Sequence, residues 1–232
     1  MESVLAQLAG SLIVSCQPVP GGPLDRPDIV VGFSLAALAG GAKGLRIEGI
    51  ENVLAVRAAT KAPIIGLIKR DLDASPVRIT PFEQDVEALA NAGADIIAFD
   101  ATDRQRPCAA SALCQTAQGL GKLAMADISS LAEARAAAEF GANLIGTTMS
   151  GYTGGDEPEE PDLLLLSEAV KLGCPVIAEG RIRTPSQAAD AIRAGAFSVV
   201  VGSAITRPEH ITSWFSSAID LAAPQWRKDA MP

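Results

Sequence analysis

Eight short apolar runs, separated by longer segments of helical period, recur along the chain, and no other feature narrows the choice of fold as far. They are SLIVSC (11–16), GLRIE (44–48), PIIGLIK (63–69), DIIAFDA (95–101), KLAMAD (122–127), NLIGTT (143–148), PVIAEG (175–180) and SVVVGSA (198–204). Several lack the polar alternation of a half-exposed strand, as expected where helices cover one face and a barrel core fills the other. Alternating strand and helix implies parallel strands joined by right-handed crossovers. Eight such units in 232 residues take about 29 residues each, the repeat of a (β/α)8 TIM barrel. An open doubly wound sheet is the rival. Its G-x-G-x-x-G turn after the first strand is missing, since Gly21-Gly22 lies in a proline-bounded loop. No linker or shift in composition divides the chain, so residues 1–232 are expected to form one α/β barrel domain.

Local punctuation supports this reading. Thr80-Pro81 with Glu83, and Thr184-Pro185 with Gln187, each read as an N-cap, a proline at the first helical position and a capping-box partner. Gly93, Gly141 and Gly195 stand just before strands, where a left-handed glycine closes a helix. The patch from Gly154 to Pro161, which contains Asp156, reads as a solvated loop rather than a metal site.

Hydrophobic residues make up 48% of the chain and aromatics 4%, so the core is aliphatic and disorder is excluded. The longest charge-free apolar stretch, residues 29–42, is broken by Gly32, Ser34, Gly40 and Gly41 and falls short of the ~20 residues of a membrane span. The start, MESVLAQLAG, lacks a basic region and a cleavage pattern, and Cys16, Cys108, Cys114 and Cys174 match no metal or redox spacing. Small buried cysteines in a reducing cytoplasm are expected. A net charge of -8 argues against nucleic acid and anionic membranes, so a bound phosphate must meet a local positive site.

In such barrels the chemistry sits at the C-terminal ends of the strands. Lys69 follows five apolar or small residues, so its ammonium should enter a partly dry mouth near Arg70 or Arg46. Desolvation there would make a neutral amine available as base or nucleophile. Snorkelling to solvent, or pairing with Asp71, is the plainer alternative. Glu179 ends the seventh run among small residues and suits either acid–base work or an arginine partner. Strands three and seven lie opposite in an eight-strand ring, so Lys69 and Glu179 should face each other. Gly180-Arg181 and Gly202-Ser203, with Arg207, stand where barrels often hold a phosphate. The single histidine, His210, is expected in the first turn of the last helix, facing solvent, and no triad, metal or cofactor signature appears.

Taken together, Ser15-Cys16-Gln17, Gly44-Leu45-Arg46-Ile47-Glu48, Leu67-Ile68-Lys69-Arg70-Asp71, Phe99-Asp100-Ala101-Thr102, Met125-Ala126-Asp127, Gly146-Thr147-Thr148-Met149-Ser150-Gly151-Tyr152 and Ala178-Glu179-Gly180-Arg181 resemble the N-acetylmannosamine-6-phosphate 2-epimerases of sialic acid catabolism. The sequence departs from that pattern at Leu72 and Arg78, where the family often carries aromatics. The resemblance implies a ribulose-phosphate-binding-like barrel and cofactor-independent, metal-free interconversion of N-acetylmannosamine 6-phosphate and N-acetylglucosamine 6-phosphate. By position, Lys69 and Glu179 would be the catalytic pair. Gln17, Arg46, Asp127 and Arg207 would contact the sugar or phosphate, with Asp127 orienting Lys69, and Gly180, Arg181, Gly202 and Ser203 would hold the phosphate. A homodimer in the cytoplasm is expected. A phosphosugar aldolase or decarboxylase, or a non-catalytic phosphosugar-binding barrel, is the alternative; the Asp-x-Lys-x-x-Asp spacing of related decarboxylases is missing.

Overall fold

A computed structural model of the chain describes residues 2–155 and 157–223. All eight expected strands are present: β1 Leu12–Cys16, β2 Gly44–Glu48, β3 Ile64–Leu67, β4 Ile96–Asp100, β5 Leu123–Asp127, β6 Leu144–Gly146, β7 Val176–Glu179 and β8 Ser198–Val201. They pair in parallel in sequence order, and β8 closes on β1 through Leu12↔Val199 to Val14↔Val201. The helices are α1 Glu2–Leu8, α2 Pro27–Ala39, α3 Ile50–Ala59, α4 Glu83–Asn91, α5 Ala110–Gly119, α6 Leu131–Glu139, α7 Leu163–Val170, α8 Pro185–Arg193, α9 Ser203–Thr206 and α10 Pro208–Ala222. Among the described residues no helix is long and apolar enough to cross a membrane.

Strand period builds two cores. One set of residues, including Val14, Leu45, Ile47, Ile97, Phe99 and Ile145, packs outward against the helices. The alternate set, Ile13, Ile65, Leu67, Ile96, Ala98, Leu123, Met125, Leu144, Ile177 and Val200, fills the barrel, and fully buried Leu8 of α1 joins it. Following the inward set toward the C-terminal ends turns it polar: Ala98 leads to Asp100, Met125 to Asp127 and Ile177 to Glu179. The same two-residue period that packs the floor therefore delivers carboxylates to the mouth.

Three sequence expectations need correction. Every strand but β2 is shorter than its apolar run, and strands three, six and eight lose three residues each. Lys69 lies beyond β3 in a bridge to Ile79, Thr147–Met149 form a 3₁₀ turn, and Ser203-Ala204 begin α9. Thr80 is no N-cap: Phe82 precedes α4. Thr80 is instead fully buried at φ 46°, donating to the Ala98 carbonyl (2.6 Å) and accepting from the Ile68 amide (3.2 Å). The backbone of the Lys69 segment claims the hydroxyl that a helix would have used. Cys16 and Cys114 are buried, while Cys108 and Cys174 are only half-buried. The Thr184–Gln187 capping box forms as expected, and Gly93, Gly141 and Gly195 all have positive φ. The loop from Gly154 is solvent-exposed up to Glu160; Asp156 and residues 224–232 lie outside the described residues.

Candidate active site

Register across the barrel assembles the site. Arg46 on β2 points inward and is 1% exposed, which an arginine tolerates only if its charge is matched. Its Nη2 lies 2.5 Å from Asp127 Oδ2 and its Nη1 3.5 Å from Asp127 Oδ1. Its Nε faces Glu179 Oε1 at 3.2 Å without hydrogen-bond alignment. Two carboxylates therefore share one guanidinium. Burial pushes both carboxyls above the usual carboxylate range against the pull of Arg46, with smaller upward pushes on Glu179 from Asp127 and on Asp127 from Asp100.

The 3₁₀ turn after β6 completes this cluster. Thr147 Oγ1 donates to the Glu179 carbonyl (2.9 Å) and accepts from the Glu179 amide (3.0 Å), fixing the end of β7. The next hydroxyl, Thr148 Oγ1, sits 2.7 Å from Asp127 Oδ1 and 3.1 Å from Glu179 Oε2. Gly146 is what makes room: a Cβ there would lie 2.7 Å from Asp127 Oδ1, 3.0 Å from Thr148 Oγ1 and closer still to Met125 Cε.

Lys69 is held from its backbone. Thr80 accepts from the preceding amide, Glu48 accepts from the Lys69 amide itself (3.3 Å), and Arg70 is forked onto buried Asp85. Asp71 is taken by Arg78 at 2.6 Å, which removes the plainer reading of Lys69 as its partner. Among the described residues no carboxylate lies within ion-pair distance of the Lys69 amine. Burial first, then Arg207 and Arg46, lower its pKa from 10.5 to about 8.

These groups line one cavity of about 600 Å³, a volume suited to a hexose phosphate. Gln17, Arg46, Lys69, Glu179, Gly180, Arg181, Gly202, Ser203 and Arg207 all reach it, whereas Asp127 stands behind Arg46 with no exposed surface. Asp127 thus orients Arg46 rather than Lys69, because its oxygens are occupied by the guanidinium and Thr148. Arg181, at φ 56°, is also committed: its guanidinium donates to the Ser150 and Glu160 carbonyls and lies 5.3 Å over Tyr152. It ties down the loop after β6 from the edge of the cavity. Gly180, at φ 115°, has no atom within 3.9 Å of a notional Cβ, so conformation rather than space calls for glycine. Arg207 Nε donates to the Gln17 carbonyl (2.7 Å), and Gln17 Nε2 to Ser15 Oγ (2.8 Å).

Sequence reasoning missed several lining residues. His210 is half-buried and lines the cavity rather than facing solvent, and Trp214, one turn on in α10, lies 5.1 Å from the Arg183 guanidinium. Their i, i+4 spacing was a usable signal, but only the path of α10 shows that this face covers the mouth. Buried Asp100 and half-buried Arg104 form a further pair (2.6 Å) at the rim. Among the described residues no group of three or more metal-ligating side chains comes together.

An α/β barrel with a buried arginine, a lysine of lowered pKa and glycine turns after its last two strands has the build of the (β/α)8 barrels that hold a phosphate at those turns. Comparison with known proteins narrows this. The profile described as "Putative N-acetylmannosamine-6-phosphate epimerase" matches residues 30–221. A Klebsiella pneumoniae protein named "Putative N-acetylmannosamine-6-phosphate 2-epimerase" is 57% identical over 226 residues, covering 95% of this chain and 97% of its own. A Brucella melitensis "Bifunctional enzyme NanE/NanK" is 59% identical over 96% of this chain, which spans only 43% of that longer protein. The solved N-acetylmannosamine-6-phosphate 2-epimerase from Clostridium perfringens superposes with a TM-score of 0.90 at 41% identity, covering 92% of this chain and 95% of its own. The chain belongs to the N-acetylmannosamine-6-phosphate epimerase family.

Proposed function

We propose that the protein is a cofactor-independent epimerase that interconverts N-acetylmannosamine 6-phosphate and N-acetylglucosamine 6-phosphate by removing and returning the C2 proton. The observation that carries this reading is Lys69: an amine lowered to about 8, across the ring of strands from Glu179, in a cavity rich in positive side chains. Inversion at C2 needs an open sugar, because only the free aldehyde acidifies the C2 hydrogen. Glu179 handles the protons of the ring oxygen and the C1 hydroxyl. Neutral Lys69 then takes the C2 proton to give a planar enolate and, as ammonium, returns it to the opposite face once the open chain has turned about its C2–C3 bond. Arg46, held rigid by Asp127, meets the charge that develops on O1, where a preorganised donor in a dry site counts most. Gln17 serves the N-acetyl oxygen. The Gly180 and Gly202 turns, Ser203 and Arg207 take the phosphate, with Arg181 holding the adjoining loop. The aldolase and decarboxylase alternatives would need Lys69 as a Schiff-base or electrostatic group, and borohydride trapping with substrate separates the former.

The test is NMR of the phosphosugar incubated with protein in D2O. The wild type should epimerise it and exchange C2 hydrogen. Lys69→Ala should lose exchange while still binding the phosphosugar, and substantial residual exchange would remove Lys69 from its role.

The remaining parts of the reading are a single barrel domain over residues 1–232, a cytoplasmic location, no nucleic-acid or membrane partner, and a homodimer. What favours the dimer is α10, none of whose residues is buried and which exposes Phe215 (67%) and Ile219 (63%).

A further inference from the structure

Thr148 has one hydroxyl proton and two carboxylate neighbours. At 2.7 Å and 3.1 Å it is within hydrogen-bond distance of both Asp127 and Glu179, yet it can donate to only one of them. With both carboxylates ionised, the other contact would set lone pair against lone pair in a buried site. At ion-pair distance the charge count has the same defect, since both acids face the one guanidinium of Arg46 while Lys69 acts on Glu179 only from farther off. One added proton resolves both problems: the protonated carboxyl donates to Thr148, and Thr148 donates to the other.

Geometry also says where that proton rests. Asp127 is fully buried and receives two guanidinium nitrogens, which favours its anion. Glu179 faces only Nε, out of hydrogen-bond alignment, and opens onto the cavity. We propose that Asp127, Thr148 and Glu179 hold one proton between them at neutral pH, resting on Glu179, with Thr148 as the positioning residue that links the two carboxyls. Resting on the epimerase reading, this makes Glu179 the acid that opens the sugar ring. Its proton passes to the ring oxygen as the C1–O5 bond breaks. The C1 hydroxyl proton returns to Glu179 as the carbonyl forms, so the cluster ends with the proton count it began with. While Glu179 is bare, Thr148 swings its donor from Asp127 to Glu179 and no water is needed. Burial first, and then the charge of Asp127, push the Glu179 carboxyl up, the direction that a proton resting there requires. The other charged groups acting on the pair are Arg46 from β2, Asp100 from β4 and Lys69 beyond β3, and Lys69 is in turn acted on by Glu48 from β2 and Arg207 between α9 and α10.

Thr148→Val removes the hydroxyl and keeps the shape. It should lower kcat roughly 10- to 100-fold with little change in KM, and Thr148→Ser should restore most of the loss. A merely structural threonine would not give that split. Infrared spectroscopy of the unliganded wild type at neutral pH should show the carbonyl stretch of a protonated carboxylic acid, absent in Glu179→Gln. Wild-type protein without that band, a band that survives Glu179→Gln, or Thr148→Val within about twofold of wild-type kcat would overturn the proposal. The infrared arm needs no substrate and no Thr148 variant. A wild type with the band but without C2 exchange would therefore sink the epimerase reading and leave the shared proton standing.

Discussion

At the scale of single residues, the site works by putting groups where their ordinary protonation is unfavourable. For Lys69 the sign is clear. A folded pKa of about 8 against 10.5 means that the charged amine is disfavoured by the fold. Stability from this group is fully present above 10.5 and is lost as pH falls through about 8. At neutral pH the protein is therefore less stable for having Lys69, and Lys69→Met should raise its denaturation midpoint at about pH 6 while abolishing turnover. Activity follows the neutral fraction, so kcat/KM should climb about tenfold per pH unit below a limb near 8. A flat profile between about pH 6 and 8 would show that the neutral amine is not the base. Gly146 makes the complementary case for space. Its φ of -113° suits any residue, so only the Met125–Asp127–Thr148 cluster forbids a side chain. Gly146→Ala should keep the barrel, at an overpacking cost of about 1–3 kcal/mol, and lower kcat/KM on the order of 100-fold by shifting Asp127 and hence Arg46. Near-normal activity in a folded Gly146→Ala protein would separate Asp127 from the chemistry.

At the scale of elements, what was legible in the sequence is what depends on neighbours in sequence. The eight apolar runs became eight strands, and the Thr184 capping box formed, because period and capping act over a few residues. Thr80 read as a cap by the same local rules and was captured instead by Ile68 and Ala98, partners that only the closed barrel brings near. Lys69 and Glu179 could be set opposite each other by counting strands. The Arg46–Asp127 pair, separated by 81 residues, could not, because several acids at strand ends competed for that arginine. The loops between elements carry one link that no local rule signals. Glu133 closes a capping box with Ser130 and also accepts from the Ser129 amide and hydroxyl (2.7 and 2.9 Å) and from the Asp103 amide (2.8 Å). It joins the loops after β4 and β5 at the rim. Glu133→Ala should therefore cost about 2 kcal/mol, at the upper end for a cap, and chemical denaturation would show it as a lower midpoint with unchanged slope. A loss within about 0.5 kcal/mol would mean that water replaces the carboxylate at all these amides.

For the whole molecule, the question is why the last helix leaves its apolar residues uncovered. His210 and Trp214 on one side of α10 line the mouth, whereas Phe215 and Ile219, one turn apart on the adjoining side, face solvent. In the proposed homodimer this stripe pairs with its own copy, in an isologous contact that closes on itself. In that arrangement the helix that walls the cavity is also the helix that meets the partner, so association and substrate binding are linked through α10. Phe215→Glu with Ile219→Glu should turn a dimer into a monomer in analytical ultracentrifugation and raise KM, with kcat affected less because Lys69, Arg46 and Glu179 sit on other elements. A double variant that stays dimeric would place the interface elsewhere. A monomeric variant with unchanged KM would show that α10 holds its place over the mouth without a partner.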